Sequence, residues 1–249
     1  MNYAEIKTPA VLIENLDKYL DGKQVLFDIN LSIAGGEVFG FLGPNGAGKT
    51  TTMKAILGLI RPDEGAVSIF GDSTLSNGTK EKIGFMPENT YLYKYLTGRE
   101  FLRFNGKFFA ISDSDLEARI EEILHKMGLE TAGDKLLAKY SKGMLQRIGL
   151  GQAIINNPSV VFLDEPMSGL DPIGRKMVKD LILELKKKGT TVFFNTHILS
   201  DVESICDSFA IIHQGRLIAN ESVKNLRKPL EEYFIEKIHE NTDGKLEVK

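Results

Sequence analysis

Hydrophobic positions along the chain follow two alternating rhythms. Short apolar runs at Val38–Leu42, Val67–Phe70, Val160–Leu163, Thr191–Asn195 and Phe209–Ile212 predict buried strands. Between them, Met53, Ile56, Leu57 and Ile60 fall on one helical face, and Met177, Val178, Leu181, Ile182 and Leu185 form the stripe of another helix. Arg61–Gly65 (RPDEG) is turn chemistry. Strands alternating with helices predict an α/β chain whose sheet is mainly parallel and covered by helices. The run Lys186, Lys187, Lys188, Gly189 fits the last turn of such a helix, where cations meet the negative end of the dipole and glycine ends it.

From about residue 88 to residue 157 the strand rhythm stops, and helical spacing such as Leu116, Ile120, Ile123, Leu124 and Met127 replaces it. This predicts a helical insertion within the α/β core. Its first part holds Tyr91, Tyr93, Tyr95, Phe101, Phe104, Phe108 and Phe109. Internal packing accounts for some of these, and protein interfaces also favour aromatic anchors. After Glu221 the chain becomes a short polar tail, 222–249, expected to be partly helical, with one weakly amphipathic stretch, Leu230–Ile238.

Composition narrows the function classes. The 249 residues carry 31 Lys and Arg against 34 Asp and Glu, a formal charge of −3, so bulk electrostatics do not point to nucleic acid or an anionic membrane. The lone Cys206 forms no internal disulfide and reads as a packing residue in a reducing cytoplasm. The charge-free stretch Ile148–Leu163 is broken by Gln152, Asn156, Asn157, Pro158 and Ser159, short of the roughly 20 apolar residues of a spanning helix. The first residues lack the apolar core of a signal peptide. Any membrane role is therefore expected to come through a partner.

The sharpest chemical signal is GPNGAGKTT: Gly43, Pro44, Asn45, Gly46, Ala47, Gly48, Lys49, Thr50 and Thr51. It satisfies GxxxxGK[ST] between an expected strand and an expected helix, the context a phosphate loop requires. The glycines let backbone N–H groups turn inward around a phosphate, and the helix directs its positive end at the same charge. Lys49 is placed to neutralise β- and γ-phosphate oxygens, and Thr50 to offer a hydroxyl to Mg²⁺. A second element, VVFLDEP (Val160–Pro166), ends a buried strand with Asp164 and Glu165, where open α/β sheets place ligands. Asp164 suits the metal side. Glu165 suits the base that polarises an attacking water. One β–α unit later, His197 ends TVFFNTH beside the same crevice, as a donor to the γ-phosphate.

Together these motifs resemble the ATP-binding subunit of ABC transporters, over about Ile6 to Glu221. The identifying element is YSKGMLQR, Tyr140–Arg147, which looks like the family signature LSGGQ-x-QR. Ser141 and Gly143 keep the serine and second glycine; Tyr140, Lys142 and Met144 replace leucine, the first glycine and glutamine. Ser168–Asp171 (SGLD) looks like the D-loop, and Tyr19 lies where the family stacks an aromatic on adenine. Gly84–Asn89 (GFMPEN) sits at the Q-loop position with Glu88 where many members carry glutamine, as in the subset paired with ABC-2 type exporters. A carboxylate there can still bind Mg²⁺, and it adds negative charge near the phosphates.

The resemblance implies a RecA-like P-loop NTPase core, an N-terminal antiparallel β part and the helical subdomain at 88–157. It implies an ATPase with Thr50, Glu88 and Asp164 on Mg²⁺, and with Glu165 and His197 catalytic. Each ATP would lie between Tyr19 and Gly43–Thr51 of one chain and Ser141 and Gly143 of a second ATPase subunit, with Ser168 and Asp171 at the seam. A membrane permease would be the other partner, placing the chain on the inner face of the cell membrane, with no nucleic acid involved. A soluble ABC ATPase of ribosomes or chromosomes is the alternative, although such members carry paired cassettes or long coiled coils. A P-loop kinase or GTPase would leave YSKGMLQR and SGLD unexplained.

Overall fold

The computed structural model describes residues 8–88 and 93–243. The expected domain start at Ile6, Asn89 of the Q-loop stretch, Tyr91 and the end of the tail lie outside the described residues. Two sheets form. The strands β1 (Val11–Leu20), β2 (Lys23–Ile33) and β4 (Glu64–Ile69) make an antiparallel sheet in the order β2-β1-β4. The strands β3 (Val38–Leu42), β5 (Ile83–Met86), β6 (Val160–Asp164), β7 (Thr191–Thr196), β8 (Ser208–His213) and β9 (Arg216–Ser222) make a six-stranded sheet, β5-β6-β7-β3-β8-β9, parallel except for the β8–β9 hairpin.

The central strands are buried throughout because both faces are covered, which is why they read as unbroken apolar runs. Alternate residues feed two cores. Phe39, Phe41, Phe162 and Phe193 pack toward the antiparallel sheet, and Val38, Leu42, Val161, Leu163 and Phe194 pack toward the helices. The helices α3 (Gly98–Gly106), α4 (Asp113–Lys126) and α5 (Lys142–Ala153) fill the interval between β5 and β6. Their buried residues Leu102, Ile120, Ile123 and Ile148 belong to the same cluster as Val161 and Phe194, so this helical region shares the core of the sheet.

Three boundaries differ from the sequence reading. Helix α1 (Lys49–Ile56) stops a turn before Ile60, because Gly58 takes φ +66° and the N–H groups of Gly58 and Leu59 bond to the carbonyls of Ala55 and Lys54. Leu57 and Ile60 still pack on the core beyond the helix end. β4 begins inside the expected turn, with Glu64 opposite Asp17 of β1, and ends at Ile69, since Phe70 turns to φ 51°. In the tail, α8 (Leu230–Asp243) runs past the end expected at Ile238, buries Leu230 and sets Tyr233 edge-on to Phe209 at 6.1 Å. Helix α6 (Pro172–Lys187) matches its expected stripe and ends at Lys188 and Gly189. Helix α7 (Leu199–Ile205) follows β7, and α2 (Asn77–Lys80) is a single turn before β5.

Candidate functional site

The phosphate loop joins β3 to α1 at the C-terminal edge of the parallel sheet. A Cβ on Gly43 would lie 2.4 Å from the Ile212 carbonyl, and Gly48 has φ +113° with Leu26 close by, so larger residues would spread the loop. Lys49 turns back over it, donating to the carbonyls of Gly43 (2.7 Å) and Pro44 (3.2 Å), with Nζ 3.8 Å from Glu165 Oε1. Burial lowers the Lys49 pKa, and the carboxylates of Glu165, Asp164 and Glu88 oppose that shift.

In the parallel register Asp164 lies opposite Asn195, which brings the ends of β6 and β7 level with the loop. Asp164 is buried and accepts from Thr50 Oγ1 at 2.9 Å and from Asn195 Nδ2 at 2.8 Å. Past the strand end, Glu165 takes φ 51° and donates its N–H to the Asn195 carbonyl. Its carboxylate meets His197 Nδ1, with both oxygens 3.0 Å away. An ionised carboxylate accepts only, so Nδ1 carries the proton, and in a neutral ring Nε2 is then an acceptor. Glu88 is exposed and, with Asn45, Gly46, Gly48 to Thr51, Asp164 and Glu165, lines a cleft of about 340 Å³.

The residues expected to hold ATP fall into two places. Ser141 and Gly143 line a separate cleft of about 350 Å³ together with Asp171, Gly169 and Leu170 of the D-loop stretch. Ser141 caps α5 through the Met144 N–H, and Asp171 caps α6 through the Gly174 N–H. Ser168 is half-buried beside them, and its N–H bonds to the Glu165 carbonyl. Ile173, at the rim, is 82% exposed. Tyr19 lies on β1 opposite Gln24, half exposed, with its hydroxyl donating to Gln24 Oε1. It does not line the phosphate cleft, whereas Val25 of β2 does.

Residues 26–168 match the family model described as ABC transporter. The chain belongs to the ABC transporter family. An uncharacterised ABC transporter ATP-binding protein of Nostoc is 48% identical over 83% of this chain, which spans 62% of that protein's length. The bacitracin transport ATP-binding protein of Bacillus licheniformis is 38% identical over 88% of this chain and 72% of its own. A solved ATP-binding subunit of an ABC transporter superposes with a TM-score of 0.85 at 33% identity, covering 92% of this chain and 99% of that one. The fold is that of an ABC ATPase domain.

Two polar residues of this ABC chain were given no role by the sequence reading, one of them inside the signature stretch Tyr140–Arg147. Asn195 is fully buried and holds Asp164, while its Oδ1 has no hydrogen-bond partner among the described residues. An amide interrupting the apolar run TVFFN was its signal. Gln146, buried on α5, donates to the carbonyls of Glu165 and Pro166.

Proposed function

We propose that this chain is the ATP-binding and ATP-hydrolysing subunit of an ABC transporter, driving a separate membrane permease of the ABC-2 exporter type. The observation that carries it is the division of the site: residues of the phosphate loop, Asp164 and Glu165 line one cleft, with His197 held against Glu165, and Ser141, Gly143 and Asp171 line another. Two copies, or this chain and a kindred one, complete each other when the second cleft of one faces the first cleft of its partner. Closure then places the Ser141 hydroxyl and the N-terminus of α5 against the γ-phosphate held by the other chain.

The donors available for a cation are hard oxygens, Thr50 Oγ1, Asp164 and Glu88, which fit Mg²⁺. Mg²⁺ bound there with ATP supplies charge neutralisation for the β- and γ-phosphates. Lys49 leaves the loop carbonyls for phosphate oxygens, which offer a stronger, charge-assisted bond. Glu165 orients water and takes its proton. His197 steadies that carboxylate through Nδ1, and it can donate to the γ-phosphate as well only when both ring nitrogens carry protons. Loss of the γ-phosphate removes the charge joining the two chains, and they separate.

Among the described residues no helix is long and apolar enough to cross a membrane, so contact with the membrane is assigned to the permease. The exposed rings of Tyr93, Tyr95, Phe104 and Phe108 touch one another in sequence at centroid distances of 5.8, 5.4 and 5.3 Å by way of Tyr93–Tyr95, Tyr93–Phe104 and Phe104–Phe108. They form an exposed aromatic patch suited to anchor a permease helix on the cytoplasmic side. The bacitracin relative supports a transport role, and Glu88 at the Q-loop position supports the exporter type. Glu165→Gln tests the core of the proposal. The variant should bind ATP normally, hydrolyse it at least about a hundredfold more slowly, and accumulate as a dimer in ATP on size exclusion. Unchanged turnover would remove Glu165 from its role.

A further inference from the structure

The chain turns sharply after β6. Glu165 sits in the left-handed region at φ 51°, which carries its carbonyl out of the strand ladder that ends at Asp164. Buried carbonyls leaving a ladder need donors from elsewhere. Ser168 N–H reaches the Glu165 carbonyl at 3.1 Å. The other donor is Gln146, 6% exposed, whose Nε2 lies 3.2 Å from the Glu165 carbonyl and 3.0 Å from that of Pro166. One side-chain amide with two hydrogens thus spans two successive carbonyls of the turn that aims the Glu165 carboxylate. Gln146 stands five residues along the helix capped by Ser141, less than a turn and a half away.

We propose that Gln146 is a positioning residue for Glu165, and that it ties the aim of this carboxylate to the helix headed by Ser141. This rests on the assignment of Glu165 as the base. A nucleotide of the partner pressing on Ser141 moves α5 as a rigid element, and Gln146 carries that movement to the turn beneath the chain's own Glu165. A purely space-filling role would need neither the amide hydrogens nor the pair of carbonyls.

The test uses the full chain with Mg²⁺ and ATP. Gln146→Met keeps length and helix propensity and removes the donors. It should leave KM for ATP within about twofold and lower kcat about ten- to a hundredfold, the range expected when a reacting group is misplaced by about 1 Å. In a Glu165→Gln background the same substitution should change the residual rate by less than about twofold, because the group it positions has already been removed. Gln146→Asn, which retains the amide on a shorter arm, should fall between wild type and Gln146→Met. Wild-type kcat in Gln146→Met overturns the proposal, as does an equal loss in both backgrounds. If neither variant folds, Gln146 is structural and the proposal falls. If the wild-type chain binds ATP and Glu165→Gln turns it over as fast, the base assignment fails and takes this inference with it.

Discussion

Asn195→Val separates what holds the protein together from what holds the metal side of its site. Asn195 is 0% exposed; its Nδ2 donates to Asp164 Oδ1, and its own Oδ1 is buried without a partner among the described residues. Removing the amide forfeits a bond to a carboxylate, worth about 1.5–3 kcal/mol. It also removes an unsatisfied acceptor whose burial costs about 1–3 kcal/mol. Valine suits a fully buried strand position. These effects nearly cancel, so the unfolding free energy measured by urea denaturation, without nucleotide and in chelator, should change by no more than about 1.5 kcal/mol. The site does not benefit from that cancellation. Asp164 keeps Thr50 as its remaining side-chain donor, and Thr50 is itself assigned to Mg²⁺. With no amide left to orient Asp164, the Mg²⁺ concentration for half-maximal ATPase at saturating ATP should rise about 10- to 100-fold. An unchanged Mg²⁺ titration refutes the role given to Asn195. A loss of more than about 3 kcal/mol shows that leaving the Asp164 carboxylate short of a donor outweighs the removed oxygen, and refutes the balance of terms.

Two further substitutions divide the site by cleft. Lys49→Ala removes the buried ammonium that rests on Gly43 and Pro44, and ATP affinity measured by calorimetry should fall about a hundredfold, given about 1.5–3 kcal/mol for each charge-assisted bond; intact binding would count against the phosphate-loop assignment. Ser141→Arg places a bulky cation in the other cleft. It should abolish ATPase activity while leaving ATP binding by the single chain within about twofold, because the damage lies across the interface rather than in the pocket; weakened binding by the isolated chain would contradict that division.

What could be read from the sequence was local. Strand, glycine loop and helix around Gly43–Thr51 are consecutive, so spacing alone places Lys49 and Thr50. Asp164, Glu165 and His197 follow from two buried strands with polar ends, and the aligned register of β6 and β7 brings them to the same edge. Of the antiparallel sheet only β4 gave such a signal, at Val67–Phe70. β1 mixes buried and exposed positions irregularly and shifts register three times against β2, which erases a clean period of two. The sheet as a whole came from family resemblance instead. Gln146 and Asn195 were illegible for a different reason: a buried amide looks polar in a sequence, and only tertiary contacts reveal which carbonyls or carboxylates it serves. Ile60 was misassigned because its apolar character continued the helical face, while the αL turn at Gly58 had already ended the helix. The docking of α8 depends on Leu230 and Tyr233 meeting Phe209 across the sequence, beyond what a weak amphipathic pattern conveys.

In the proposed pairing each chain carries two different half-sites, so injuries to them can complement. A mixture of Lys49→Ala and Ser141→Arg molecules contains pairs in which both lesions fall on one composite pocket, leaving the other made wholly of sound halves. Such heterodimers would recover activity that neither parent shows alone, and the yield would follow the random statistics of mixing.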